Sequence, residues 1–448
     1  MATIGTYDPT TTAQALAESF TAGRQQILTR QSGTASAVQK ALASLSSTLS
    51  AFQTSLAGLT GVGKSLSANS ALFSDTTVAS ATATPTAAAG TYAFFVEQIA
   101  SAHKVSYSGM TDFAGIGSIT LGVGGTSFTI DLSTKATWTV RDLAAAINGA
   151  TGNTTLSASV VTTGTTSELV LSSTATGAAN TISVSTTADV DPALKTKLDA
   201  APTLLSAAQD AILRIGSSTG TAITQASNIF NVIDGVTMTL TKAQAAGSTP
   251  VTLTVAADAS KTTANVQAFV DAYNKLKAAV DGLVSPGDTA SGGAAGAFAG
   301  DSGVRALRDR LVSLVRGTGA TSLAVFGIIA TREGTLSVDS TRLTKALAAD
   351  PTGLDTLIGT SGATPTGIAG KLDTYLKMWT NSSGQINSRK DAVTKLQATL
   401  TDRQTALDRQ YDSAYARYLA QFTQLQTIQS SMSYNTSLFD ALFSDSKD

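Results

Sequence analysis

The sequence predicts an α+β multidomain chain: long N- and C-terminal helices form an antiparallel coiled-coil or bundle stem, and β-rich domains are inserted between them. Three observations carry this. Val38, Leu42, Leu45, Leu49, Phe52, Leu56 and Leu59 alternate four- and three-residue steps, which draws one narrow apolar stripe along a helix. A second series near the other end, Ile386, Val393, Leu396, Leu400, Leu407, Tyr411, Tyr415, Tyr418, Phe422, Leu425 and Met432, keeps mostly heptad spacing with a slip near Tyr411. Between the two the apolar period falls from about 3.6 to 2.

In chain order, Leu16, Phe20 and Ile27 are helix-spaced but out of the later register, and Gly23 and Gly33 interrupt them, so the helix there is expected to be weak. Strands follow: "TYAFFVEQI" alternates Tyr92, Phe94 and Val96, and "SITLGVGGTSFTIDL" alternates Ile119, Leu121 and Val123, turns at Gly124-Gly125, and resumes with Phe128, Ile130 and Leu132. "TVRDLAAAIN" is a short helix with Thr139 as N-cap, Asp142 three residues on, and Val140, Leu143 and Ile147 on one face. Further strands read at Leu156 to Val160, Glu168 to Leu171 and Thr181 to Val184, then at "DGVTMTL" and "PVTLTV" with threonines on the alternate face. Val266, Phe269, Val270, Tyr273, Leu276 and Val280 make the next helix amphipathic. "SPGDTASGGAAGAFAG" reads as a flexible connection, followed by a helix at Val304 to Val315, a hairpin "IIATREGTLSVD" and a helix ending before Asp350-Pro351. No Pro or Gly occurs between Gln385 and Met432. One helix of that span is roughly 70 Å long, too long to lie inside one globule, so it must pack against something equally long, and the N-terminal helix is the nearest candidate.

Composition narrows the chemistry. The chain of 448 residues has no Cys, one His (His103), a net charge of −1 and only 14% charged residues. Disulfides, thiolate nucleophiles and His-rich or Cys-based metal sites are excluded, and a Ser-His-Asp triad would have to use His103. There is no basic field to recruit nucleic acid or anionic lipid. "MATIGTYDPTTTAQ" shows no basic n-region or apolar h-region, and no apolar run of about 18 residues occurs, so neither Sec targeting nor a membrane span is expected.

One motif challenges a purely structural reading. "GLTGVGKS", Gly58 to Ser65, fits the phosphate-loop pattern G-x-x-x-x-G-K-[ST], with Lys64 in the lysine position. A working loop of that kind needs a strand before it and a helix after it. Here the heptad helix precedes it and "LSANSALFSDTT" follows; the best second acidic residue, Asp234, sits in a hairpin-turn context. The stretch therefore reads as a helix end dissolving into a Gly-rich loop. His103 reads as solvated or capping. Glu occurs only at 18, 97, 168 and 333, and most Asp stand beside Gly, Pro, Ser or Thr, which is turn and cap chemistry. Tyr411, Tyr415, Tyr418 and Phe422 read as packing surface. In "SLFDALFSDSKD", Leu438, Phe439, Leu442 and Phe443 share one short amphipathic face that needs a partner to cover it. No catalytic residue, cofactor site or metal site is assigned.

Several blocks resemble one family, the bacterial flagellar filament-capping protein or hook-associated protein 2. They are "GTYAFFVEQIASAHKV"; "LAAAIN" with "SASVV" and "LVLSSTATGAANTISV"; "AQDAILRIG"; "ASNIFNVIDGVTMTLTKA"; "VTLTVAADASKTTANVQAFVDAYNKL"; "FAGDSGVRALRDRL"; and "FGIIATREGTLSVDSTRLTKALAADP". Any one is weak, but their number and order are specific. The hairpin tip Arg332-Glu333-Gly334 and the tail depart from the family pattern.

The resemblance implies a cap at the distal tip of the extracellular filament, secreted through the flagellum's own export channel, beneath which exported flagellin folds and polymerises. Its implied partners are flagellin and the filament tip, further copies of itself in a pentamer-like ring, the export apparatus and an export chaperone, with no nucleic acid and no membrane insertion. Some members also serve adhesion. Flagellins and hook–filament junction proteins share helical termini around β insertions, but the block order disfavours them.

With this resemblance the chain divides into a leg (1–40), a stem helix (41–85), an inner β-rich domain (86–105 and 208–260), an outer α+β domain (106–207), stem helices with a hairpin (261–364), a long C-terminal stem helix (365–431) and a second leg (432–448). Filament contacts are expected at Leu16, Phe20, Ile27, Leu438, Phe439, Leu442 and Phe443. Stem contacts are expected at Val38, Leu42, Leu45, Leu49, Phe52, Leu56, Val393, Leu396, Leu400, Leu407, Phe422 and Leu425.

Overall fold

The computed structural model describes residues 8–163, 166–287, 293–317 and 322–444. Two compact units emerge, one from the chain ends, Met1–Leu66 with Thr263–Asp448, and one from the inserted Ser67–Thr262.

Helix α1 (Pro9–Thr60) begins at Asp8, whose carboxylate accepts the Thr10 N–H, with Pro9 in the first turn where its missing N–H costs nothing. It runs unbroken through Gly23 and Gly33, so the expected weak stretch is helical. A glycine costs a helix interior about 1 kcal/mol. Burial of Ala13, Ala17, Thr21, Leu28 and Ala35 outweighs that cost. The expected stem helix over 41–85 is corrected at its far end. α1 stops at Thr60, the Gly61 N–H closes on the Ala57 carbonyl, and Gly63 turns at φ +71°, which an L side chain resists. Residues Asn69–Phe73 and Ala79–Ala83 are strands.

The inserted unit holds two cores. In the first, a five-stranded antiparallel sheet is ordered Asn69–Phe73, Val251–Ala257, Gly90–Gln98, Ala211–Ile215, Ala222–Gln225. A three-stranded sheet of Ile229–Ile233, Val236–Leu240 and Ala79–Ala83 accompanies it. Phe94, Val96, Leu213, Phe230, Met238 and Leu253 fill the space, and the period-2 pattern explains why: in Val251–Ala257 the alternate residues Val251, Leu253 and Val255 are buried while Thr252 and Thr254 face out.

The second core lies under the four-stranded sheet Thr203–Ser206, Ala102–Met110, Thr166–Thr176, Leu156–Thr163 and the three-stranded sheet Ile182–Thr186, Ser118–Val123, Thr126–Asp131. The predicted hairpin turns at Gly124 and Gly125, both at positive φ. Helix α2 (Val140–Gly149) starts with the full capping box: Thr139 Oγ1 accepts the Asp142 N–H, and Asp142 accepts the Thr139 N–H. Helix α3 (Pro192–Asp199) buries Leu194 and Leu198. Where the two cores meet, the Asn228 side chain bonds both the N–H and the carbonyl of Ala100 at 2.7 and 2.9 Å.

Helix α4 (Ala259–Val284) returns the chain to the terminal unit and buries the six predicted apolar positions from Val266 to Val280. Its Asn274 side chain bonds the N–H and carbonyl of Leu336, and Tyr273 Oη donates to the Gly334 carbonyl, so α4 fixes the hairpin Ile328–Ala330/Leu336–Val338. Of the expected flexible connection, residues 288–292 lie outside the described residues. The rest is partly packed, with Phe298 buried and its N–H on the Leu283 carbonyl.

Helices α5 (Ser302–Arg316), α6 (Ser340–Ala349), α7 (Gly353–Ile358), α8 (Gly367–Thr380) and α9 (Gln385–Ser444) complete the unit. The single helix expected over 365–431 is two helices. They are broken at 381–384, where the Gly384 N–H bonds the Asn381 carbonyl and a Cβ on Gly384 would stand 2.7 Å from the Trp379 carbonyl. α9 continues past 431 to Ser444, so the segment expected to start a separate leg at 432 is helical; at 60 residues α9 is about 90 Å long.

Candidate partner-binding surface

The phosphate-loop look-alike has the wrong setting. α1 precedes it, Val62 and Lys64 are exposed, and the Ser65 hydroxyl bonds the Asp355 carboxylate instead of facing a ligand space. Asp234 occupies a hairpin tip beside Gly235 at φ +73°. His103 is a capping residue: its Nδ1 accepts the Ile182 N–H at 3.0 Å, and burial holds the imidazole below its usual range. Among the described residues no group of three or more His, Asp or Glu is arranged to hold a metal ion, and no helix is long and apolar enough to cross a membrane.

What the terminal unit does present is a helical pair. α1 and α9 run antiparallel, stitched by Arg24–Gln410, Gln25–Gln404 and Gln39–Gln397 side-chain bonds. Nearest the bundle, Leu42, Leu45, Leu49, Phe52 and Leu56 are buried in one large core with Val393, and Val38 packs at its edge. Farther out, Leu28 and Ala35 meet Leu400 and Leu407 in a small separate core. Beyond that only small residues are buried among the described ones, Pro9, Ala13, Ala17 and Thr21 on α1 and Ala414 on α9, so the helices remain together with little apolar area per turn. Tyr411, Tyr415 and Tyr418 are half-buried, with the rings of Tyr411 and Tyr415 stacked at 6.4 Å.

Two predicted stem residues are not in the seam. Leu396 and Leu425 are 47% and 43% exposed, and Phe422 is half-buried. The buried line of α9 is Ile386, Val393, Leu400, Leu407 and Ala414, every seventh residue, and Leu396 lies on the adjoining face. Leu425 fails for a different reason. From the Arg24–Gln410 pair, Pro9 stands opposite about residue 425, so α9 runs past the start of α1.

The predicted contact residues Leu16, Phe20, Ile27, Leu438, Phe439 and Leu442 are all exposed, by 39–63%. Phe20 lies under the Arg24 guanidinium at 5.7 Å. The Phe443 side chain lies outside the described residues. Sequence reading missed Ile428 and Tyr434, also exposed. The signal was available: Leu425, Ile428, Met432, Phe439 and Leu442 continue the three-four spacing, with Asn435 at the remaining position.

Comparison with known proteins gives this geometry a context. The pattern described as flagellar hook-associated protein 2 N-terminus matches residues 6–103, that described as its C-terminus matches 208–434, and a flagellin hook IN motif matches 118–175. The lateral flagellar hook-associated protein 2 of Vibrio parahaemolyticus is 37% identical over 370 residues, covering 79% of this chain and 81% of that one. The B-type flagellar hook-associated protein 2 of Pseudomonas aeruginosa is 30% identical over 393 residues, covering 82% and 81%. The crystal structure of the D1-D2-D3 domains of the Escherichia coli flagellar cap protein FliD superposes with a TM-score of 0.60 at 28% identity, over 79% of this chain and 99% of that one. With both terminal patterns matched in order and the two chain ends folded together around inserted sheets, the chain belongs to the flagellar hook-associated protein 2 family.

Proposed function

We propose that this protein is the cap of a flagellar filament: several copies close a ring at the distal tip, outside the cell, and exported flagellin folds and polymerises beneath it. The observation that supports this reading is the run of exposed apolar residues along α1 and the end of α9, from Leu16 to Ile27 and from Leu425 to Leu442. An apolar stripe on a long helix is stabilised when a partner covers it, by about 1.5–3 kcal/mol per large side chain buried. In this reading residues 1–40 and 432–448 are the legs, and filament subunits cover them through Leu16, Phe20, Ile27, Leu438, Phe439, Leu442 and Phe443. The inserted unit supplies the lateral contacts of the ring. The chain reaches the tip through the flagellar export apparatus, escorted by an export chaperone, and carries out no catalysis.

Deletion of the gene tests the reading: filaments should be lost or stunted and flagellin spilled into the medium, with recovery on re-expression. Normal filaments in the deletion strain would sink it. Electron microscopy of the purified protein separates a cap from other axial proteins, because a cap makes small closed rings and a filament former makes open polymers.

A further inference from the structure

Beside the buried seam, α1 and α9 enclose a trough of about 500 Å³. Ile27 and Val38 form one bank and Leu396 the other, with the buried Ala35 and Leu400 at the floor. Ile27 and Leu396 both line the trough and are about half exposed. The banks are ridges of two helices, the shape that accepts a third helix by ridges into grooves. From Ile27 to Val38 the trough is about 17 Å long, three turns of such a helix.

Charge specifies the guest further. Arg30 stands on the α1 bank and Arg403 on the α9 bank, at one level between the Arg24–Gln410 and Gln39–Gln397 bonds. Neither has an ion partner among the described residues, in contrast to Arg389 and Arg214, which pair with Asp301 and Glu97. A guest helix that fills the apolar floor brings its two flanks against two guanidinium groups, which favours carboxylates on both flanks and disfavours lysines. The end of α9 from a second copy of this chain offers a poor match. The exposed end of α9, residues 423–442, carries Asp440 as its one charged residue, enough for one bank only.

We propose that this trough receives an amphipathic helix of the filament subunit, with an aliphatic stripe and acidic residues on both flanks. The proposal rests on the filament-cap reading and names the chemistry of the partner at that surface.

The test uses the full chain with a photo-crosslinking phenylalanine at Leu396, mixed with monomeric filament subunit of the same bacterium. Crosslinking to a helix of that subunit carrying Asp or Glu on both flanks is the expected result. It should fall at least about tenfold in the Arg30→Glu/Arg403→Glu chain, and the unaltered chain should lose crosslinking as NaCl rises from about 0.05 to about 0.5 M. Unchanged circular dichroism and melting of the double variant separate lost recognition from lost folding. Crosslinking to a second copy of this chain, to a helix with basic flanks, or to nothing would overturn the proposal. The cap reading fails separately, through normal filaments in the deletion strain, whereas normal filaments in cells carrying only the double variant count against the trough alone.

Discussion

Arg389, near the start of α9, grips both carboxylate oxygens of Asp301, the residue that caps α5. One of those oxygens also accepts the Val304 N–H at 3.0 Å, and the Arg389 guanidinium lies 5.6 Å over the Trp379 ring. A single carboxylate therefore closes a helix end and fixes where the long helix leaves the bundle.

Asp301→Ala should destabilise the terminal unit by about 1–3 kcal/mol, since it removes a helix cap and leaves a part-buried guanidinium without its partner. The hydrogen bonds that the Arg389 guanidinium donates, with the Val304 N–H and the Arg389 charge behind them, hold the Asp301 carboxyl below the usual value of 3.8. A carboxyl depressed in the folded state adds stability that is present above 3.8 and lost as pH falls through its lower folded value. Urea titrations at neutral pH and below pH 4 should show the variant's deficit shrinking with acid; a deficit independent of pH would contradict the role given to the ion pair.

The two ends of the apolar pattern should respond in opposite ways to truncation. Leu45 is fully buried, so Leu45→Ala should cost about 2–5 kcal/mol. Leu442 is exposed, so Leu442→Ala should leave unfolding within about 0.5 kcal/mol of the original while impairing filament growth. If both variants unfolded alike, the end of α9 would be part of the fold and not a docking surface.

Lys64 should be dispensable for any nucleotide interaction. The chain is expected to give no saturable signal with a fluorescent ATP analogue, and Lys64→Ala to behave identically. Saturable binding that disappears in the variant would reinstate the phosphate-loop reading.

His103 should make the inserted unit sensitive to mild acid. Its Nδ1 accepts a backbone N–H only when unprotonated, and burial lowers its affinity for a proton. A histidine depressed in the folded state contributes stability that is complete above its unfolded value of 6.5 and is lost as pH falls from there toward the folded value. Melting temperatures followed downward from pH 7 should fall, and replacement of His103 by Gln should flatten that part of the profile. An unchanged profile in the variant would assign the acid sensitivity elsewhere.

Proteolysis of the dilute monomer should remove residues from both ends while leaving the Thr91 to Val255 core intact. Chymotrypsin has exposed sites at Tyr434 and Phe439. Tails as resistant as the core would count against legs that need a partner.

Much of this architecture was legible in the order of residues because the information is periodic and local. Heptads at Leu42 to Leu56 wrote a helix, alternation at Val251 to Val255 wrote a strand, and Thr139 with Asp142 wrote a helix start; each depends on side chains a few residues apart. Helix ends were read less well. Whether α1 crosses Gly23 and Gly33, and whether residues 381–384 break the C-terminal helix, depends on what packs alongside: a glycine's cost of about 1 kcal/mol is decided by burial that only the partner strand or helix supplies.

The same reason separates the two kinds of surface leucine. Leu396 and Leu400 look alike in a heptad, yet one is about half exposed on the bank of a trough and the other is buried against Leu28 and Ala35. By itself the amino-acid order determined that the two ends form long apolar-striped helices around a sheet-built insertion. Tertiary structure alone decided which stripe faces inward, where α1 stops while α9 runs on, and that Arg30 and Arg403 flank one trough, because facing and overlap are properties of two helices separated by hundreds of residues and not of either one.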